Sequence, residues 1–148
     1  MADPYSQGKA GHFFYHDKVD IYTSVAVVLD GMLDDRGLDL IKPISRAFPK
    51  HSIIELIGTD EESAVPGGSV QRICYLGFLV LKNSGVLLTG DAVIWNGQTI
   101  GYIAGYDDTH MPNHQNTIVK MEKRISGKNL GLKINDDIII KNRLPGNM

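Results

Sequence analysis

The residues best suited to chemistry lie in one polar segment, Tyr106–Asn116, which reads YDDTHMPNHQN. Asp107, Asp108, His110 and His114 fall there within eight residues. Imidazole nitrogens and carboxylate oxygens together form the ligand set that zinc and other divalent transition metals accept. The segment therefore predicts a metal site. Because a histidine binds metal only in its neutral form, affinity should fall below about pH 6.5.

The spacing of the two histidines leaves a second interpretation open. On a helix, His110 and His114 would lie on one face, but Met111-Pro112-Asn113 between them favours a turn. In a loop, both rings can still converge on one ion. The alternative is a solvated surface loop in which the Asp, Asn and Pro residues only form turns.

A second pair, His12 and His16, has the same spacing near the N-terminus. Residues four apart in a strand share a face, so this pair could complete a site with the loop histidines. The alternative is an N-terminal strand with incidental histidines. Four of the five histidines belong to these two pairs, and this clustering favours metal binding over chance.

Other catalytic chemistry has little support in the sequence. Cys74 is the single cysteine, which excludes an internal disulfide and a cysteine-based zinc site. Its apolar surroundings predict a buried, unreactive thiol. There is no G-x-S-x-G motif, and Gly67-Gly68-Ser69 lacks the Lys-Ser/Thr of a phosphate-binding loop. The absence of a recognised catalytic motif favours a function other than catalysis.

The elements that must position these residues are mostly strands. Runs of β-branched and aromatic residues alternate with turn residues, and Asn96-Gly97 between two such runs predicts a tight hairpin. We predict a mainly β fold, a small β-barrel or β-sandwich of about eight short strands. The main runs are Tyr22–Leu29, Ser52–Ile57, Val70–Leu81, Ala92–Trp95, Thr99–Ala104, Thr117–Met121 and Asp137–Lys141.

One segment has a helical pattern. Apolar residues recur at a spacing of three to four through Leu38, Ile41, Ile44 and Phe48, after an acidic start. Pro43 conflicts with a continuous helix, because an interior proline kinks or breaks it. We nevertheless expect one helical insert at about residues 34–48.

Length and composition predict one domain at residues 12–141, between tails at residues 1–11 and 142–148. The net charge of −2 argues against a nucleic-acid-binding protein, which usually has a basic face. The apolar run Ile73–Leu81 is too short to cross a membrane, and the N-terminus does not resemble a signal peptide. We expect a cytoplasmic protein that contacts neither nucleic acid nor membrane.

The layout also resembles a known family. VAVVLDGML is followed by DDRGLDLIKPI, then by Leu88–Asp91, Ile103-Ala104-Gly105 and a final LKINDDIII. This order is similar to the glucitol/sorbitol-specific IIA component of the sugar phosphotransferase system, with Gly90 and Gly105 as the best matches. The resemblance implies a β-barrel-like fold and a phosphocarrier function. That function needs a histidine, and residues 72–90 contain none, so no catalytic residue is transferred.

Three functions follow from these patterns. The first is a binding or interaction module that forms a homo-oligomer and binds a small molecule or a protein partner through a functional loop at residues 106–116. The second is a metal-dependent protein that uses His110, His114 and Asp107 or Asp108. His12 and His16 would be additional ligands. The third is a phosphocarrier-like component.

Overall fold

The structure is a computed structural model that describes residues 18–142. The predicted tail at residues 1–11, residues 143–148 of the C-terminal tail, and both His12 and His16 lie outside the described residues.

The described part of the chain is mainly β, as predicted. Twelve strands and one short helix, α1 (Gly127–Leu130), follow one another along it. The strands are β1 (Ile21–Val28), β2 (Met32–Leu33), β3 (Leu38–Asp39), β4 (Ser45–Phe48), β5 (Ile53–Thr59), β6 (Ser69–Val70), β7 (Ile73–Leu81), β8 (Gly85–Leu88), β9 (Ala92–Trp95), β10 (Gln98–Asp107), β11 (Gln115–Lys120) and β12 (Asp137–Lys141).

Seven strands close into a β-barrel. Their order is β1-β12-β9-β10-β11-β5-β7, and β7 pairs back onto β1. The β5–β11 pair is parallel, and the other neighbours in the barrel are antiparallel. β2 adds an extra strand beside β7, whereas β3–β6 and β4–β8 form separate two-stranded ribbons. The barrel alternative of the predicted fold is therefore confirmed.

Side-chain alternation divides the core into two layers. The barrel interior holds apolar residues such as Ile54, Leu56 and Val119. On the outside of β5, β10 and β11, a smaller cluster that includes Ile57 and Ile118 packs under the segments around β3 and β6. Successive residues of β5 therefore face two different layers, and its odd-numbered positions point outward.

The hairpin predicted at Asn96-Gly97 is confirmed. Trp95 pairs with Gln98 across the turn. Asn96 has φ 54° and Gly97 has φ 75°, the left-handed backbone that a two-residue type I′ turn requires. This hairpin joins β9 to β10, and β10 leads into the polar loop.

The prediction of a helix at about residues 34–48 is wrong. That segment contains β3 and β4, and Gly37 adopts φ 69°, outside the helical region. Ile44 is exposed while Leu38 is buried, so the apolar residues do not form one helical face. Pro43 is consistent with this outcome, because it lacks the amide hydrogen that a helix would use.

The described helix lies instead at Gly127–Leu130, where no apolar periodicity predicts one. The Ser126 hydroxyl accepts a hydrogen bond from the Asn129 amide, which caps its first turn. Gly131 ends the helix with φ 101°. The caps at Ser126 and Gly131 thus explain this one-turn helix, which apolar spacing cannot predict.

Two buried threonines differ in one contact. The Thr23 hydroxyl donates to the Ile138 carbonyl at 2.8 Å, whereas the Thr117 hydroxyl has no hydrogen-bond partner among residues 18–142. Both side chains are almost fully buried. A buried hydroxyl without a partner destabilises the fold, because it has lost its contact with water.

We therefore expect opposite effects from the same substitution at these two sites. Thr117→Val should raise the free energy of unfolding by about 1 kcal/mol, because an apolar group of the same shape replaces the unpaired hydroxyl. Thr23→Val should lower it by about 1 kcal/mol, because the Ile138 carbonyl loses its donor. Urea denaturation of both variants tests this, and equal effects would contradict it.

Candidate functional site

The polar loop begins at Asp107, whose carboxylate ties three segments together. Its Oδ1 accepts hydrogen bonds from the Thr109 amide at 2.8 Å and the Asn116 side-chain amide at 3.1 Å. Its Oδ2 accepts from the Asp39 amide at 3.0 Å. Asp107 is 2% exposed. Burial raises the pKa of this carboxyl, but the hydrogen bonds from Thr109, Asn116 and Asp39 outweigh burial and hold it below the ordinary value.

Asp108 is also engaged in holding the loop. Its Oδ1 accepts from the Gln115 side-chain amide at 2.8 Å and lies 3.7 Å from the Arg46 guanidinium. Gln115 donates a second hydrogen bond to the Asp107 carbonyl. Both aspartates thus shape the loop, and neither belongs to the cluster of metal-ligating groups described next.

The cluster consists of Glu55, His110 and His114. One ligand atom from each residue lies within 4.8 Å of the other two. The shortest contact joins His114 Nε2 to Glu55 Oε1 at 2.9 Å. The two imidazole rings are stacked, with centroids 4.9 Å apart and planes inclined by 29°. The structure thus brings the two predicted histidines together and adds a carboxylate from a distant strand.

The backbone explains how His110 approaches His114. The amides of Asn113 and His114 both donate to the His110 carbonyl, which closes a turn between the two histidines. The peptide bond between Met111 and Pro112 in this turn is cis. The turn predicted from Met111-Pro112-Asn113 is confirmed, and it places the rings side by side without a helix.

Glu55 reaches the loop because β5 runs parallel to β11. Glu55 pairs with Asn116 on β11 and with Phe78 on β7, and its side chain points to the outside of the barrel. The side chain is 8% exposed, compared with 13% for His114. The carboxylate therefore lies beneath the loop, while His110 above it is exposed.

The orientation of the His114 ring is fixed at three points. Its Nδ1 lies 2.7 Å from the Asn113 side-chain oxygen, and its Nε2 faces Glu55. The edge of the ring packs on Phe78, with centroids 5.0 Å apart and planes at 80°. In the tautomer that carries its proton on Nδ1, the ring donates to the Asn113 oxygen and leaves the lone pair of Nε2 for a metal ion.

The 2.9 Å between His114 Nε2 and Glu55 Oε1 is a hydrogen-bond distance, and the same two atoms can both bind one metal ion. Such a contact is made either by a proton on Nε2 or by an ion between the two atoms. Around tetrahedral zinc, ligand atoms lie about 3.3 Å apart, because each zinc–ligand distance is about 2.0–2.1 Å. The three side chains would need only small movements to reach that spacing, and Glu55, His110 and His114 are the residues that could hold the ion.

Sequence reasoning missed Glu55. Glu55 is the single charged residue in the apolar run SIIELI, and both faces of that strand are buried. A charged side chain in such a strand needs a polar partner, and this requirement could have marked Glu55 as a functional residue. The histidine to which it pairs lies 59 residues away, and only strand pairing shows the contact. The predicted ligand pair His12 and His16 lies outside the described residues.

Comparisons with known proteins place the chain in a family. The sequence profile of a family of unknown function, DUF6917, matches residues 15–141. The chain belongs to DUF6917. No curated protein and no solved structure matches it. The resemblance to the glucitol/sorbitol-specific IIA component remains a prediction, since this DUF6917 match carries no functional assignment.

One further finding concerns membranes. Between residues 18 and 142, no helix is both long and apolar enough to cross a bilayer.

An Asp107→Asn variant should lose the charged acceptor that holds the start of the loop. At pH 7 we expect the free energy of unfolding to fall by roughly 1–3 kcal/mol, because the buried backbone donors lose a charged acceptor. The folded-state pKa lies below the ordinary value of 3.8, so this stabilisation is present above pH 3.8 and disappears as pH falls through the folded-state pKa. Urea denaturation from pH 7 to pH 2.5 should show the two proteins converging.

Glu62→Gln is the matched control, because that side chain is 96% exposed. It should match the wild type at every pH. An Asp107→Asn variant that keeps a constant difference from the wild type across this range would refute the role of the charged carboxylate.

Proposed function

We propose that this protein is a small β-barrel module that binds a divalent transition-metal ion through Glu55, His110 and His114. The single observation that carries the proposal is the 2.9 Å contact between His114 Nε2 and the buried Glu55 carboxylate. With the Nδ1 proton donated to the Asn113 oxygen, Nε2 would be the metal-binding nitrogen. The function is thus binding of an ion through the predicted functional loop.

The donor set supports a transition metal over magnesium or calcium. Two imidazoles and one carboxylate suit zinc, iron(II), cobalt(II) and related ions, whereas magnesium and calcium prefer oxygen ligands. Three protein ligands leave at least one coordination position for water or another molecule. His110 is exposed, so solvent reaches this side of the cluster.

Neighbouring residues hold the metal-binding side chains in position. Asn113 orients His114, Phe78 packs against its ring, and Asp107 fixes the start of the loop. Contacts of this kind tune metal affinity by holding the ligands in place before the ion arrives. The cluster contains no second carboxylate, so a bound divalent ion would retain a net positive charge.

Calorimetric titration of the chelator-treated protein with Zn²⁺ tests the proposal. We expect one ion per chain, and at least tenfold weaker binding for Glu55→Gln, His110→Ala and His114→Ala. Titration with Co²⁺ should produce visible absorption bands in the wild type that all three variants lose. Affinity should fall as the pH is lowered through the range in which histidines take up protons.

Two controls separate this site from its alternatives. Asp108→Asn should bind like the wild type, because that carboxylate contacts Gln115 and Arg46 instead of the cluster. His51→Asn should also bind like the wild type and excludes a general histidine effect; asparagine tolerates the φ of 76° at this position. A wild type that binds neither ion, or a Glu55→Gln variant with unchanged affinity, would refute the proposal.

A further inference from the structure

An apolar surface lies directly beside the Glu55–His114 pair. It is formed by outward-facing residues of three adjacent strands, Ile53 on β5, Phe78 and Val80 on β7, and Val27 on β1; we call these four residues the apolar row. Ile53 is 49% exposed and Val27 is 42% exposed. The strand register shows that the row is continuous, because Ile53 pairs with Val80, and Phe78 pairs with Val27.

The row continues into the candidate metal site. Glu55 is the cross-strand partner of Phe78, and the Phe78 ring contacts the His114 ring. Phe78 is only partly buried, so one part of its surface packs on the metal-binding ring and another part remains accessible. An ion held by Glu55 and His114 would therefore lie at the end of this apolar surface.

The charged groups of the loop are paired with polar partners outside the row. Asp107 is buried among amide donors, while Asp108 and Arg46 lie together and Gln115 points to Asp108. The row itself contains no charged side chain. Nothing in it would pair with a charged tail, and exposed apolar surface beside a polar centre is typical of sites that bind amphipathic molecules.

From this juxtaposition we infer a ligand class, an inference that depends on the proposed metal site. We propose that the bound ion takes its remaining ligand from a small molecule with an anionic, oxygen-donor head and an apolar tail. The head, a carboxylate or a similar group, would bind the positively charged centre. The tail would lie along Phe78 and Ile53 and cover surface that is now in contact with water.

Hydroxamates of increasing tail length provide the probe. Each is titrated into the Co²⁺-loaded protein, and binding is followed by the change in the visible absorption of the ion. Acetohydroxamate supplies the head alone, whereas benzohydroxamate and octanohydroxamate add an apolar group to the same head. We expect the longer two to bind at least tenfold more tightly than acetohydroxamate.

A pair of variants assigns the gain to the apolar row. Ile53→Ser should remove most of the tenfold preference while leaving acetohydroxamate binding unchanged. Leu33→Ser is the matched control: Leu33 is 43% exposed on β2, beside Ile73 at the other end of β7, and its variant should keep the full preference.

The outcomes separate the two proposals. Equal affinity for all three hydroxamates, with the ion bound, would overturn the ligand class and leave the metal site intact. Loss of the preference in Leu33→Ser as well as Ile53→Ser would also overturn it, because the gain would then not come from the row. A protein that binds no Co²⁺ would refute both proposals.

Discussion

The parallel pairing of β5 with β11 places a carboxylate beside the loop that carries the two histidines. Glu55 pairs with Asn116, so the turn that precedes β11 lies directly over the Glu55 side chain. Barrel closure depends on the same pairing, because β5 and β11 connect the β9–β10–β11 side of the sheet to β7 and β1. The site is therefore built on the closed barrel, although two of its three donors lie in a loop.

The electrostatics of this region follow from where each carboxylate finds its hydrogen-bond donors. Asp107 is surrounded by amides, which stabilise its charge without a cation. Glu55 is nearly as buried, but its side-chain contact is the His114 ring. The Asp107 oxygens are occupied by amide donors, whereas Glu55 faces a ring nitrogen that can also bind a metal ion, and the proposed site therefore uses Glu55 rather than Asp107 as its acidic ligand.

Much of the fold was predictable, and the exceptions have local causes. The strands and the Asn96-Gly97 hairpin were predictable because β-branched runs and turn dipeptides act over a few residues. Val27, in an apolar run, is exposed because a register shift between Val25 and Val27 turns it outward. The prediction of a helix at residues 34–48 was wrong because the positive φ of Gly37 and the missing amide hydrogen of Pro43 outweigh the apolar spacing.

The site was only half predictable for a different reason. His110 and His114 are close in sequence, and the turn residues between them allowed the two rings to converge; the structure shows the turn that brings them together. Their partner Glu55 comes from a strand that only tertiary pairing brings near, and no local pattern encodes that pairing. Asp107 and Asp108 were predicted as metal ligands because they lie close to His110 in the sequence. Their oxygens instead accept hydrogen bonds that hold the loop.

The most direct test of the metal site is a crystal structure of the protein with Zn²⁺, using anomalous diffraction at the zinc edge. We expect one strong anomalous peak within about 2.0–2.2 Å of ligand atoms of Glu55, His110 and His114. A peak bound instead by Asp107 or Asp108 would contradict the assignment of Glu55. A structure at saturating Zn²⁺ in which the Glu55–His114 contact persists without a peak would show that a proton, and not a metal, bridges the pair.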